Sequence, residues 1–310
     1  MSKNKIAFLY HHINAIGGVE IAILNLIKKL KEHFDVYVCY TLSDSDFDML
    51  YRMSEHATVV NLNHNEVEVD TVVYCSIYCI KNKITAKKEL RWLHGCLTDM
   101  KCRLPNENIS EYISVGKVCK EQLDSQIKPK ESHLIYNELN SDIIKLSNKK
   151  LPAKGSKLRL VTVSRISSEK GFERMLEVSK RLTKNNIPYI WDIVGSGYNE
   201  AYENKIRESA PKEWIFHGRL ENPFPYIKRA DFLLQLSDYE AFGYVLLEAL
   251  VLGTTVITTD YSSASEMIND SNGYIIKKDL SDLDLNIFNN KKVFKHEHKS
   301  SIEQWLKLLQ

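Results

Sequence analysis

Short apolar runs of strand type alternate with amphipathic stretches twice along this chain, and one polar segment separates the two series. Residues 5–10 (KIAFLY) read as a buried parallel strand. A glycine loop, Ala15-Ile16-Gly17-Gly18, follows, and then a helix over 19–31 with Ile23, Leu26, Ile27 and Leu30 on one face and Lys28, Lys29 and Lys31 on the other. Further β-type runs occupy 35–42, 58–62, 71–76, 111–116 and 132–137. Residues 148–157 (NKKLPAKGSK), with Pro152 and Gly155, read as a linker. The alternation then restarts, with strands at 158–165, 189–194, 214–218, 231–236, 255–259 and 273–277 and a helix at 171–184. The expected fold class is therefore α/β: two Rossmann-like, doubly wound domains over residues 1–150 and 151–297. A closing helix at 298–310 carries Ile302, Trp305, Leu306 and Leu309 at helical spacing and is expected to pack back across the domains. Two such domains in series imply a cleft lined by the carboxyl ends of their strands.

Composition narrows the function classes. The 310 residues are 44% hydrophobic and 26% charged, which suits a globular chain long enough for two domains. Forty-two basic residues against 40 acidic ones leave a net charge of +2, without the excess that a duplex-binding surface brings, so nucleic acid is not an expected partner. No run reaches the roughly 18 apolar residues of a membrane span, and the opening residues lack a signal-peptide core, so the expected location is cytoplasmic. Cys39, Cys75, Cys79, Cys96, Cys102 and Cys119 form no CxxC pair, and all six are expected as reduced thiols. His11, His12, His64, His94, His296 and His298 form no ligand cluster, so no metal site is expected.

The richest segment is SDYEAFGYVLLEALVLG, residues 237–253. A strand ends at Leu236, a polar turn follows, and an almost wholly apolar helix is predicted from Phe242 to Gly253 with Glu248 as its single charge. A buried carboxylate of that kind needs a partner, either an internal cation or a ligand. Glu240 lies eight residues earlier, about 12 Å if the rise is helical. The helix start between the two acids offers free N–H groups suited to phosphate. Arg165 and Lys170 occupy the loop after another strand, where a guanidinium fork and a mobile ammonium would suit a diphosphate, or would merely pair with Glu169 or Glu173. Gly195 and Gly197 follow a third strand end, and Gly17 and Gly18 precede a helix with Glu20 in its first turn. Each glycine pair allows close ligand approach or simply marks a tight turn. His94 ends an apolar strand in RWLHG, a catalytic or a structural position.

In order, Gly17-Gly18-Val19-Glu20, His94-Gly95, Ile113-Ser114-Val115, Tyr136-Asn137, Ser164-Arg165, Glu169-Lys170-Gly171, Gly195-Ser196-Gly197, His217-Gly218 and the acids Glu240 and Glu248 resemble the retaining, nucleotide-sugar-dependent glycosyltransferases of the GT-B fold, family 4. The resemblance covers almost the whole chain. It implies that Arg165 and Lys170 bind the donor diphosphate, and that Glu248 holds the ribose hydroxyls. Glu240 would contact the sugar with the backbone around Phe242, Gly243 and Tyr244, and the backbone near Arg219 and Leu220 would seat the base. His94 would face the transferred sugar, and Gly18 would lie against the donor from the first domain. It implies no metal and no cofactor beyond the donor itself. Asp44, Asp46 and Asp48 form an acidic string that looks like a helix start. Departures from the family pattern are Leu236 for a usual Pro, Ala241 for Gly, Thr255 for Pro, and Ser262-Ser263 for a glycine pair.

The activity so implied is transfer of a hexose from a UDP- or GDP-sugar to a hydroxyl of a glycan acceptor, in bacterial surface polysaccharide synthesis. The acceptor would be free or lipid-linked. Between residues 81 and 103, Lys81, Lys83, Lys87, Lys88, Arg91, Lys101 and Arg103 face only Glu89 and Asp99. That run reads either as peripheral contact with anionic lipid or as a solvated face. Two other functions share the fold: a catalytically silent binding module and a sugar-nucleotide epimerase. A dehydrogenase is not expected, because no GxGxxG follows the first strand of either half.

Overall fold

The computed structural model describes residues 3–13, 17–42, 44–75, 83–97, 109, 111–151 and 155–310. They form two units, Met1–Leu139 with Lys299–Gln310, and Asn140–His298.

In the first unit the apolar run Lys5–Leu9 (β1) pairs in parallel with Asp35–Tyr40 (β2) on one side and Val67–Tyr74 (β4) on the other. Thr58–Asn61 (β3) extends one edge, and Ile84–Leu93 (β5), Glu111–Ser114 (β6) and Glu131–Leu134 (β7) extend the other. The all-parallel order is β3-β2-β1-β4-β5-β6-β7. Helices Gly18–Leu30 (α1), Phe47–Ser54 (α2) and Lys117–Gln126 (α3) are among its connections. Asp46 caps α2 by accepting from the Met49 N–H at 2.8 Å, so the acidic string is a helix start.

The chain's end completes this unit. Trp305, on the closing helix Ile302–Leu309, is fully buried, 4.8 Å from Trp92 and 6.2 Å from Phe8, centroid to centroid. Glu138 fixes the approach: its carboxylate accepts from the Lys29 ammonium, the Ser301 N–H, and the hydroxyls of Ser300 (2.8 Å) and Ser301 (2.9 Å). Burial pushes the Glu138 carboxyl up, but Lys29 and the serine hydroxyls outweigh it and hold it below the ordinary range. The final helix, expected to pack across both domains, thus belongs to the first unit, because its apolar face fills the space over β1 and β5.

The division falls after Leu139 rather than at residue 150. Residues 140–150 go with the second unit because Asn222 donates to the Leu146 carbonyl at 3.0 Å and Lys228 to Asn148 at 2.7 Å. Ile143–Leu146 forms a single turn there (α4).

One cysteine expectation is corrected. Cys96, just past β5, and Cys119, in the first turn of α3, are joined in a disulfide with Cα atoms 4.5 Å apart. Their separation of 23 residues carries no CxxC signal; α3 packs on β6 and β7, and β6 pairs with β5, which brings them together. Cys39 and Cys75 are buried thiols, and burial pushes Cys39 up to about 12. Cys79 and Cys102 lie outside the described residues.

The second unit repeats the design. Leu158–Val163 (β8) lies between Tyr189–Val194 (β9) and Phe232–Gln235 (β11). Trp214–Gly218 (β10), Thr255–Thr259 (β12) and Gly273–Ile276 (β13) complete an all-parallel sheet of order β10-β9-β8-β11-β12-β13. Its helices are Phe172–Lys184 (α5), Glu200–Ser209 (α6), Phe224–Arg229 (α7) and Tyr244–Val251 (α8). Trp191 and Trp214 pack 5.3 Å apart in the core, and their ring N–H groups donate to Thr162 and Ser179. Fully buried Asp192, on β9, accepts from Arg159 (2.7 and 3.2 Å) and Arg229 (3.1 Å) and bonds His217 (2.8 Å). Its desolvation is outweighed by these three groups, and its carboxyl sits below the ordinary range.

Among the described residues, no helix is long and apolar enough to cross a membrane. The cationic run of 81–103 is not a bare face where it is described. Lys83 donates to the Asn63 carbonyl at 2.6 Å, Lys87 pairs with Asp70 at 2.7 Å, and Lys88 bonds the Leu308 carbonyl at 3.0 Å and pairs with Glu111 at 3.2 Å. Arg91 is fully buried. Lys81, Asp99, Lys101 and Arg103 lie outside the described residues.

Candidate donor site

In a doubly wound sheet the winding reverses between the first strand and the one that follows on its far side, and ligands collect past the carboxyl ends there. In the second unit that position lies between β8 and β11. The loop after β8 carries Arg165 and Lys170; the turn after β11 carries Glu240.

These two loops are fastened to each other. Ser168–Lys170 makes a three-ten turn that ends on Gly171 at φ +75°. A Cβ on Gly171 would stand 1.9 Å from the Leu236 carbonyl oxygen, so only glycine permits the approach. Arg174 donates to that same carbonyl at 2.8 Å and to Asp238 at 2.6 Å, while the Asp238 N–H donates to the Glu169 carbonyl at 2.8 Å. The result places the Lys170 ammonium 2.6 Å from Oε1 of Glu240. Gln235 (2.6 Å) and Ser237 (2.9 Å) donate to the same oxygen. All three donors end on Oε1. From the loop after β12, Ser263 donates to the Glu240 backbone carbonyl at 2.6 Å. Ser263, one of the departures from the family pattern, thereby ties a third loop to the turn.

Arg165 is half exposed, 3.5 Å from Glu169 and 5.7 Å from the Tyr198 ring centre. Burial pushes Glu169 up, but the Ser167 hydroxyl, Arg165 and Lys170 together hold it below the ordinary range. Gly195 and Gly197 have a structural reason: Cβ atoms there would stand 1.9 Å from the Ser164 carbonyl oxygen and 2.4 Å from that of Ile166. They let the turn after β9 lie against the Arg165 loop. Arg219 is exposed and Leu220 half-buried just beyond β10.

The helix predicted from Phe242 starts two residues later. Gly243, at φ +72°, caps α8, so Phe242 belongs to the turn and Tyr244 opens the helix. Glu248 lies on its second turn with no side-chain hydrogen bond or ion pair among the described residues. Burial among apolar neighbours pushes its carboxyl up to about 8.

Gly17, Gly18 and His94 belong to the first unit. Gly17 caps α1, and a Cβ there would stand 2.3 Å from a carboxylate oxygen of buried Glu20, whereas Gly18 is exposed with open space around it. His94, one residue past β5, stacks on Trp92 at 4.2 Å. Its Nε2 has no partner, and burial pushes its pKa down to about 3, so the ring is neutral. Among the described residues one group has metal-ligand proximity, Glu111, Glu131 and His133, with ligand atoms within 4.8 Å of one another. Lys88 already sets a positive charge 3.2 Å from Glu111, and the group shares no residue with the Lys170–Glu240 site.

Sequence reasoning missed Arg174, Asp238, Gln235, Ser237 and Ser263. Arg174, Asp238 and Ser263 hold one loop against another, whereas Gln235 and Ser237 orient Glu240 from within its own strand end and turn.

Residues 144–286 match the family described as Glycosyl transferases group 1. That stretch spans most of the second unit. An uncharacterized 41.2 kDa protein in the cps region of Klebsiella pneumoniae is 24% identical over 246 residues, 74% of this chain and 65% of that protein. The chain thus spans about two thirds of that relative's length. Among solved structures, Anabaena HepE in complex with UDP and glucose superposes with a TM-score of 0.72 at 16% identity, covering 93% of this chain and 89% of that one. A TarM variant from S. aureus, in a complex that includes UDP, superposes with a TM-score of 0.77 at 13% identity, covering 99% of both chains.

Proposed function

We propose that the protein is a retaining hexosyltransferase that takes its sugar from UDP-sugar and delivers it to a hydroxyl of a glycan acceptor in surface polysaccharide synthesis. The observation that carries this reading is the Lys170–Glu240 contact at 2.6 Å beside the start of α8, with unpaired Glu248 one turn inside that helix. A cation, a helix N-terminus and two separated carboxylates suit an elongated ligand with an anionic middle and a polyol at each end. UDP in the HepE and TarM complexes and the cps-region location of the Klebsiella relative support the donor and the pathway class.

In this reading Lys170 and Arg165 take the diphosphate with the N-terminus of α8. Glu248 accepts from the ribose hydroxyls, and the backbone near Arg219 and Leu220 seats uracil. Glu240 accepts from sugar hydroxyls. The bond from the sugar C1 to the phosphate oxygen breaks while the acceptor oxygen bonds C1 on the same face. The acceptor's proton leaves to the departing diphosphate. Negative charge grows on the diphosphate, where fixed cations and N–H groups already point, so electrostatic preorganisation supplies most of the rate. No metal is required, because those groups do the neutralising. With several lysines of the 81–103 run internally paired, the structure supplies no separate argument for lipid contact.

The test is transfer of radiolabelled glucose from UDP-glucose, and separately of galactose and N-acetylglucosamine, to polysaccharide repeat acceptors. Lys170→Ala should lower turnover at least tenfold with the melting curve unchanged. Wild-type turnover in that variant would remove Lys170 from the site. A wild-type protein that is not stabilised by UDP or any UDP-sugar would instead be a silent binding module.

A further inference from the structure

Arg165 carries the guanidinium that the donor reading gives to the diphosphate, yet Glu169 holds it only weakly. The two are 3.5 Å apart, at the limit of a hydrogen bond, and the Glu169 oxygen concerned already accepts from the Ser167 hydroxyl at 2.6 Å. The Arg165 side chain is 48% exposed, and an arginine held no better than that keeps much of its rotamer freedom.

A second group faces the guanidinium. Its Cζ lies over the Tyr198 ring, 5.7 Å from the ring centre and within the roughly 6 Å reach of a cation–π contact. Tyr198 is brought there by backbone that is fixed independently of Arg165. The Gly195 N–H donates to the Gly218 carbonyl at 2.8 Å, the Ile166 N–H to the Ser196 carbonyl at 3.2 Å, and the Gly197 N–H to Glu203 at 2.6 Å. Asn199, the next residue, caps α6 by accepting from the Tyr202 N–H at 3.0 Å. The carbonyls that Gly195 and Gly197 admit belong to Ser164 and Ile166, the two neighbours of Arg165 in the chain. Tyr198 therefore follows directly on a turn that is moulded to the backbone around Arg165. The ring is 67% exposed, so it buries little surface for the core.

The kind of contact matters. A carboxylate that fixes a guanidinium consumes its N–H groups and competes with phosphate for them. An aromatic face attracts the same charge through its quadrupole and takes up none of the five N–H donors. We infer that Tyr198 is a positioning residue for the donor diphosphate, whose ring holds the Arg165 guanidinium in place with its donors left for phosphoryl oxygens. The inference rests on the donor reading given above. Tyr198 acts through Arg165 and not on the nucleotide, by cutting the ordering cost that Arg165 meets on binding.

The test is a set of Tyr198 variants read by calorimetry with UDP. Tyr198→Leu keeps an apolar side chain and removes the aromatic face, and it should weaken UDP binding about fourfold. Tyr198→Phe keeps the face and should bind UDP as wild type does. Melting of the unliganded protein should be the same for all three, since the ring lies mostly in solvent. Arg165→Ala should weaken UDP by itself, and adding Tyr198→Leu to it should cost nothing further. Uridine, which has the base and ribose but no phosphate, should bind wild type and Tyr198→Leu equally when followed by saturation-transfer NMR. Wild-type UDP affinity in Tyr198→Leu would overturn the inference. So would an undiminished loss on the Arg165→Ala background, or an equal loss for uridine, either of which would put the ring on the nucleotide itself or in the packing. In those cases wild type still binds UDP, and the donor reading stands. If wild type does not bind UDP, the donor reading fails and this contact with it.

Discussion

Glu248 offers the sharpest check on the site, because its stability effect and its binding effect have opposite signs. Burial sets its folded pKa near 8, against 4.5 for the free group. For an acid whose folded pKa is raised, stability is greatest below the unfolded pKa, where both states are protonated. It is then lost as pH climbs toward the folded pKa. At about 1.36 kcal/mol per pH unit, the total is about 5 kcal/mol. About 3 kcal/mol of that is gone by pH 7, and about 1 kcal/mol more goes between pH 7 and 9. Glu248→Gln keeps the shape and removes the titration. The variant's advantage over wild type should therefore widen by about 1 kcal/mol from pH 7 to 9, a few degrees in the melting of a unit this size. Taking the difference between the two proteins cancels the common contribution of the raised thiols of Cys39 and Cys75, which also titrate at high pH. Binding should move the other way. If ribose hydroxyls donate to the carboxylate, wild-type affinity for UDP should tighten roughly tenfold between pH 7 and 9, and the glutamine variant should show no such slope. Parallel stability curves would refute the buried-acid account. A pH-independent UDP affinity in wild type would refute the ribose contact.

Gly171→Ala should be far worse than a usual glycine substitution, because its Cβ meets the Leu236 carbonyl at 1.9 Å at a φ of +75°. A loss of about 2 kcal/mol or more, seen in urea melts, is expected together with loss of donor binding, since the same contact aligns Lys170 with Glu240. Trp305→Ala empties the centre of the first unit's aromatic cluster and should cost about 3–5 kcal/mol, with limited proteolysis releasing the terminal helix. Reduction of Cys96–Cys119 opens a loop of 23 residues and should cost about 3 kcal/mol by the chain-entropy argument; intact mass under denaturing, non-reducing conditions checks that the bond is present.

The parts of the fold that were legible are those written in local periodicity. β1 is an apolar run, β8 and β12 are short runs rich in β-branched residues, and α5 puts Phe172, Met175, Val178 and Leu182 on one face, so composition and period place them. Gly243 stood out as a candidate position, but the helix start was misplaced by two residues. Phe242 continues the apolar pattern into the turn, and only the left-handed backbone at Gly243 ends it. What sequence could not show is any relation between strands distant along the chain. Asp192 is one acid in an apolar strand, and nothing near it announces Arg159, Arg229 or His217; parallel pairing brings those groups in from other strands and from α7.

The same limit explains why the site's supporting residues escaped notice while its charged ones did not. Arg165, Lys170, Glu240 and Glu248 lie at recurring spacings, because each spacing measures the path along one loop or one helix. Arg174, Asp238 and Ser263 act between loops, and no fixed count of residues joins them. Ser263 makes the point most sharply. As a sequence feature it is a departure, a side chain where the resembled family commonly has glycine. In the fold its hydroxyl donates to the Glu240 carbonyl at 2.6 Å, so it ties down that turn. A substitution back to glycine should then loosen that turn and lower transfer, whereas a pocket obstructed by the serine would gain activity. Comparing Ser263→Gly with Ser263→Ala in the transfer assay separates the lost tether from the enlarged space, since alanine removes only the hydroxyl.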